Sequence, residues 1–137
     1  MSFTIRHIDH VVLYVADQER SVRFYEDVLG CRVVRRNPKA NLVHLGAGAS
    51  MIDLLPKPDG SSGRNVDHVA LRIDPFDGEA LIRHLASFGI TPGEVRDRFG
   101  AEGTGPSLYF DDPDGNTIEL KGPSPAMSTA RSDSGPA

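Results

Sequence analysis

Residues 6–15 are rich in β-branched and aromatic side chains and are predicted to form a strand that ends at the polar run Ala16-Asp17-Gln18-Glu19-Arg20. The period of the pattern then changes. Val22, Tyr25, Val28 and Leu29 fall on one face of a helix, with Asp17 placed to cap its first turn and Gly30 placed to end it. Three short strand candidates follow at 31–36, 41–46 and 50–56, separated by Asn37-Pro38 and by Gly46-Ala47-Gly48. The Pro, Gly and Ser content of 56–65 reads as an exposed linker. Beyond it the order restarts, with a strand at 66–73 and a helix within 74–89 whose Leu81, Leu85 and Phe88 share a face before Gly89. A strand at 93–98, a glycine-rich loop at 99–107, and strands at 107–112 and 116–121 joined by the turn Asp112-Pro113-Asp114-Gly115 complete the pattern. From Gly122 to Ala137 small and polar residues leave little to bury, and a disordered tail is expected. The predicted class is α+β, with one βαβββ module at 1–55, a linker at 56–65, a second module at 66–121 and a tail at 122–137.

The repetition extends to chemistry. Ile8-Asp9-His10-Val11-Val12-Leu13 is matched by Val66-Asp67-His68-Val69-Ala70-Leu71, and the closing strands match as well, with Asp53 in the first against Glu119 in the second. The second separation is the longer one, and its excess fits in the glycine-rich stretch before Ser107. Because alternate strand residues point to opposite faces, His10, Val12 and Tyr14 oppose Asp9, Val11, Leu13 and Val15; His68, Ala70 and Arg72 likewise oppose Asp67, Val69, Leu71 and Ile73. If the aliphatic sets lie beneath the helices, the histidines face away from them. The same test sends Ile52, Leu54, Ile118 and Leu120 to the helix side and leaves Asp53 and Glu119 with the histidines. Taken singly, a strand histidine is more often a hydrogen-bonded residue than a ligand. Two imidazoles and two carboxylates sharing one face are better explained by a divalent cation, which offsets the carboxylates and uses the imidazole lone pairs. Nitrogen and oxygen donors without thiolate suit Zn, Ni, Co, Mn or Fe(II). His7, His44 and His84 read as surface or structural residues, and Asp9 and Asp67 as local hydrogen-bonding groups where their strands begin.

Composition narrows the classes. The chain of 137 residues is 39% hydrophobic and 25% charged with a net charge of −4, which fits a soluble globular protein. Neither a nucleic-acid footprint nor a membrane span is indicated. One cysteine, Cys31, cannot form an internal disulfide and reads as packing; with no apolar leader at the N-terminus, a cytoplasmic location is expected.

The runs "IDHVVLYVAD", "RSVRFYEDVLG" and "VDHVALRI", and above all "YFDDPDGNTIEL", resemble the vicinal oxygen chelate superfamily over Ile5 to about Lys121. That group holds glyoxalase I, extradiol dioxygenases, fosfomycin-resistance enzymes and bleomycin-binding proteins. The resemblance implies paired βαβββ modules in an open eight-stranded barrel with a metal in its cleft, commonly in homodimers. It carries His10, His68 and Glu119 onto ligand positions. Asp53 departs from the glutamate of glyoxalase I, so direct ligation, ligation through water and no ligation all stay open. Tyr14, Arg72, Ser107 and Tyr109 are expected to line the cleft, with Arg72 suited to an anionic substrate. The preferred activity is a metal-dependent glyoxalase-like lyase or isomerase acting on vicinal oxygens, with Glu119 moving the proton. An Fe(II) ring-cleaving dioxygenase and a drug- or metabolite-binding protein without chemistry are the alternatives.

Overall fold

The computed structural model describes residues 7–61 and 65–125. The chain divides between Asn65 and Val66 into two compact units. In the first, β1 (His10–Val15) leads into α1 (Gln18–Leu29), followed by β2 (Arg32–Asn37), β3 (Leu42–Ala47) and β4 (Ser50–Pro56). The second unit repeats this with β5 (Val69–Arg72), α2 (Gly78–Ala86), β6 (Arg96–Gly100), β7 (Gly103–Asp111) and β8 (Thr117–Lys121). The expected α+β class and two βαβββ modules are therefore present.

Each unit forms one four-stranded sheet, in the orders β1-β4-β3-β2 and β5-β8-β7-β6. The first and last strands of a unit run parallel because a helix intervenes after the first; the remaining neighbours are antiparallel. This order sets the last strand of each unit directly beside the first, which brings the closing carboxylate next to the Asp-His pair.

In the first unit α1 starts where Asp17 accepts from the Arg20 backbone N–H, and stops at Gly30, whose φ of +72° lets the chain turn out of the helix. Its buried side chains are Ser21, Val22, Tyr25 and Val28. Beneath them lie Leu13, Val15, Val43, Leu45, Ile52 and Leu54, all buried. Val12 and Tyr14, on the other face of β1, are both 41% exposed, so the alternation read from the sequence holds. Cys31 is buried in this unit and free of any disulfide.

The second unit departs from expectation in three places. Phe88 lies beyond α2, which ends at Ala86; it is largely exposed and sets its ring edge-on against His84. The reason is local: after Ser87 the chain reverses at Gly89, and the Ile90 N–H bonds back to the Leu85 carbonyl, leaving Leu85 as the buried residue of the helix. The strand expected at 93–98 lies at Arg96–Gly100. Most of the expected glycine-rich loop is strand, since β6 and β7 form a hairpin closed by Gly100 against Gly103. Gly105 is there for close approach rather than for a break, because a Cβ on it would stand 2.7 Å from the Pro123 carbonyl oxygen. The same approach buries Gly122 and Ser124, with the Gly122 N–H bonded to the Pro106 carbonyl. Residues 126–137 of the expected tail fall outside the described residues. Among the described residues no helix is long and apolar enough to cross a membrane.

Candidate functional site

Each unit carries the same three-residue chain of contacts. In the first, His10 Nδ1 lies 2.9 Å from Asp9 Oδ2 and its Nε2 lies 3.9 Å from Asp53 Oδ2. In the second, His68 Nδ1 lies 2.7 Å from Asp67 Oδ2 and its Nε2 lies 3.4 Å from Glu119 Oε1. An ionised carboxylate only accepts, so Nδ1 of each histidine donates to the aspartate before it, and Nε2 is the nitrogen that faces Asp53 or Glu119. That is the orientation in which a carboxylate prepares an imidazole for a metal. Register explains the proximity: β1 pairs with β4 at Val12 and Asp53, and β5 with β8 at Ala70 and Glu119. The hydrogen bond to Asp9 is the main cause raising the His10 pKa, opposed by burial and supported by the charge of Asp53.

The carboxylates are the buried members. Asp53 and Glu119 are 2% and 6% exposed at the side chain, whereas His10 and His68 keep 43% and 36%. Asp53 sits between two imidazoles, those of His10 and His44. Its Oδ1 is 3.1 Å from Nδ1 of His44, which the β3–β4 register places directly opposite, but the approach is off the direction of a hydrogen bond. Among the described residues, Asp53 Oδ1 and both ring nitrogens of His44 are buried without a hydrogen-bond partner. An oxygen and a nitrogen side by side are donor types that a divalent cation takes, and leaving them without hydrogen bonds is costly. No three His, Cys, Asp or Glu side chains converge where they could hold a metal ion among the described residues, so each unit presents a pair of donors and not a complete ligand set.

Around Glu119 the second unit adds three further groups. Tyr109, opposite Glu119 in the β7–β8 register, lies beside that carboxylate and stands edge-on to the His68 ring. Burial first, and then Glu119, push the Tyr109 hydroxyl pKa up. Arg98 lies over the Tyr109 ring at 4.4 Å and donates through Nη1 to the hydroxyl of buried Ser107 at 2.7 Å.

The structure thus gathers His68, Glu119, Tyr109 and Ser107, and separately His10 and Asp53. Tyr14 is on the His10 face of β1, with its backbone N–H bonded to Asn65. Arg72 is held by Glu102, so its charge is already matched. Sequence reasoning missed His44 and Arg98. Parity applied to β3 identifies the first, because Val43 and Leu45 belong to the core and His44 must face the other way with Asp53. No signal marked Arg98, since its place over Tyr109 depends on where β6 begins.

Residues 7–120 match the family model of the Glyoxalase/Bleomycin resistance protein/Dioxygenase superfamily. The chain is 35% identical over 125 residues to virulence protein STM3117 of Salmonella typhimurium, covering 85% of this chain and 83% of that protein. The crystal structure of that protein superposes with a TM-score of 0.70 at 31% identity, over 89% of this chain and 100% of its own. A metallothiol transferase FosB of Staphylococcus epidermidis is 29% identical, over 85% of this chain and 81% of the relative. A probable lactoylglutathione lyase of Vibrio cholerae is 30% identical, over 81% of this chain and 86% of the relative. With its duplicated βαβββ fold and a family match across nearly the whole described chain, this protein belongs to the Glyoxalase/Bleomycin resistance protein/Dioxygenase superfamily.

Proposed function

We propose that the chain is a divalent-metal-dependent lyase or isomerase of glyoxalase type acting on a small substrate with two adjacent oxygens. His10, His68 and Glu119 are its metal ligands on this reading, and Asp53 is a further carboxylate donor. The observation that carries it is the duplicated Asp–His–carboxylate arrangement, in which the residue before each histidine fixes its tautomer and a buried carboxylate faces its Nε2. Similarity to a probable lactoylglutathione lyase supports the reaction class.

The cation supplies Lewis-acid polarisation of the substrate oxygens. Glu119 takes a proton from one substrate carbon and returns it to the neighbouring carbon, an isomerisation that needs no oxidant or reductant. Tyr109, a protonated phenol at neutral pH, stands beside that carboxylate as a donor to it. Arg98, steadied by Ser107 and by the Tyr109 ring, offers a cation to an anionic part of the substrate. The same Arg98 favours a second reading, metal-assisted addition of a thiol to an anionic electrophile, toward which the similarity to a metallothiol transferase points.

Two measurements separate these. Metal analysis of protein purified without added metal is expected to find Ni, Zn, Co or Mn near one per chain, and the His10→Ala/His68→Ala double variant is expected to lose it. Isomerisation of the methylglyoxal–glutathione adduct and of other compounds with adjacent carbonyl and hydroxyl oxygens tests the reaction class, and turnover of whichever is accepted is expected to be at least about 100-fold lower in Glu119→Gln. Thiol consumption without isomerisation would favour the second reading. Iron with O₂-dependent ring cleavage would point to a dioxygenase, and a double variant with unchanged metal content would refute the ligand assignment.

A further inference from the structure

We propose that Lys121 and Arg98 form an oxyanion site on the second unit, one that takes the phosphate or carboxylate group of a small molecule. It binds the anion with or without a metal, and only its placing at one end of a substrate rests on the reading above.

Parity puts the two cations on one face. Ile118 and Leu120 of β8 belong to the core, so Glu119 and Lys121 point the other way. In register, Lys121 stands opposite Ser107 of β7, and Arg98 of β6 stands opposite Gly105. Both long side chains therefore cross residues 105–107. Arg98 Nη1 is held by the Ser107 hydroxyl at 2.7 Å and carbonyl at 3.1 Å, which leaves Nε and Nη2 without a hydrogen bond among the described residues.

Lys121 is only 8% exposed, yet its ammonium makes no ion pair or hydrogen bond among the described residues. The fold makes room for it. A Cβ on Gly100 would stand 2.7 Å from Lys121 Cε, and one on Gly105 would stand 3.2 Å from Nζ. Two glycines thus clear a path for the lysine stem, and the ammonium ends beside Gly105. A buried ammonium without a counter-charge is costly, and a guanidinium on the neighbouring strand adds like-charge repulsion. An oxyanion offsets both, with the lysine as a point charge and the free guanidinium edge as a directed donor. The nearby carboxylates are engaged elsewhere: Glu119 approaches His68, and Glu102 holds Arg72, the residue beside Lys121 on β5. Lys121 therefore takes the anion-binding part that the sequence suggested for Arg72.

Full-length chain, stripped of metal and dialysed free of chelator, is titrated calorimetrically with inorganic phosphate and, separately, with acetate. One anion per chain is expected, and the arm that binds distinguishes a tetrahedral from a planar group. Lys121→Gln and Arg98→Gln are each expected to bind it about tenfold or more weakly. Arg23→Gln, on α1 of the first unit, is expected to match the wild type. Because Lys121→Gln could perturb the fold, backbone amide spectra of the wild type provide a measurement without substitution: the shifts caused by the anion are expected to concentrate at residues 98–107 and at Lys121. No binding of either anion at millimolar concentration, wild-type affinity in both glutamine variants, or shifts scattered over both units overturns the inference and leaves the metal-dependent reading intact. Anion binding in a chain that takes up no divalent metal overturns that reading and leaves this one.

Discussion

At the scale of single residues, the chemistry is set by which polar groups the fold buries and what it places beside them. Asp112 is buried and accepts from the backbone N–H groups of Asp114 and Asn116 and from the Asn116 side chain, so the Asp-Pro-Asp-Gly run is a turn held by one carboxylate. Cys31 shows the opposite case, a group that burial silences. Burial first, and then the charge of Glu26, push its thiol up to about 11 from an ordinary 9.0. The sign follows from linkage. Below pH 9 the thiol is protonated folded and unfolded alike; between 9 and 11 the unfolded chain releases a proton that the folded chain retains, and stability falls. At pH 10 the loss attributable to Cys31 is about 1.4 kcal/mol. Urea unfolding at about pH 8 and pH 10 checks this, since Cys31→Val should lose that much less stability than the wild type between the two.

At the scale of elements, the two helices show where pattern suffices and where it fails. For α1 the sequence carries an N-cap, an apolar face and a glycine stop, and the structure uses each of them. A Cβ on Gly30 would meet nothing within 4 Å, so Gly30→Ala is a test of backbone conformation alone. It is expected to cost about 1–2 kcal/mol, read as a lowered thermal midpoint with unchanged metal binding. In α2 the apolar spacing runs past the helix end, and Phe88 joins a turn because the reversal at Gly89 follows it too soon. The strands show a similar divide. β4 lies where the pattern placed it, whereas 99–107 read as loop because glycine marks both breaks and close approaches, and only the neighbouring chain at Pro123 distinguishes them.

At the scale of the whole molecule, the proposed metal binding implies a gain in stability, because an unfolded chain does not assemble the ligands. Removing metal with a chelator is expected to lower the thermal midpoint, and Zn(II) at 100 times its dissociation constant to restore about 2.7 kcal/mol; the His10→Ala/His68→Ala variant should show no such increment in a differential scanning experiment. The sequence by itself determined the duplicated order of elements, the core face of each strand and the placing of His10, His68, Asp53 and Glu119 opposite that face, because period and parity are local properties of a chain. Tertiary structure alone decided, in the first unit, that Asp53 keeps an oxygen without a hydrogen bond beside His44, and, in the second, that Tyr109 lies beside Glu119 and that Arg98 lies over Tyr109 while Arg72 is held by Glu102. Those facts depend on strand register and on where each strand begins, which are fixed by hydrogen bonds between segments distant in sequence.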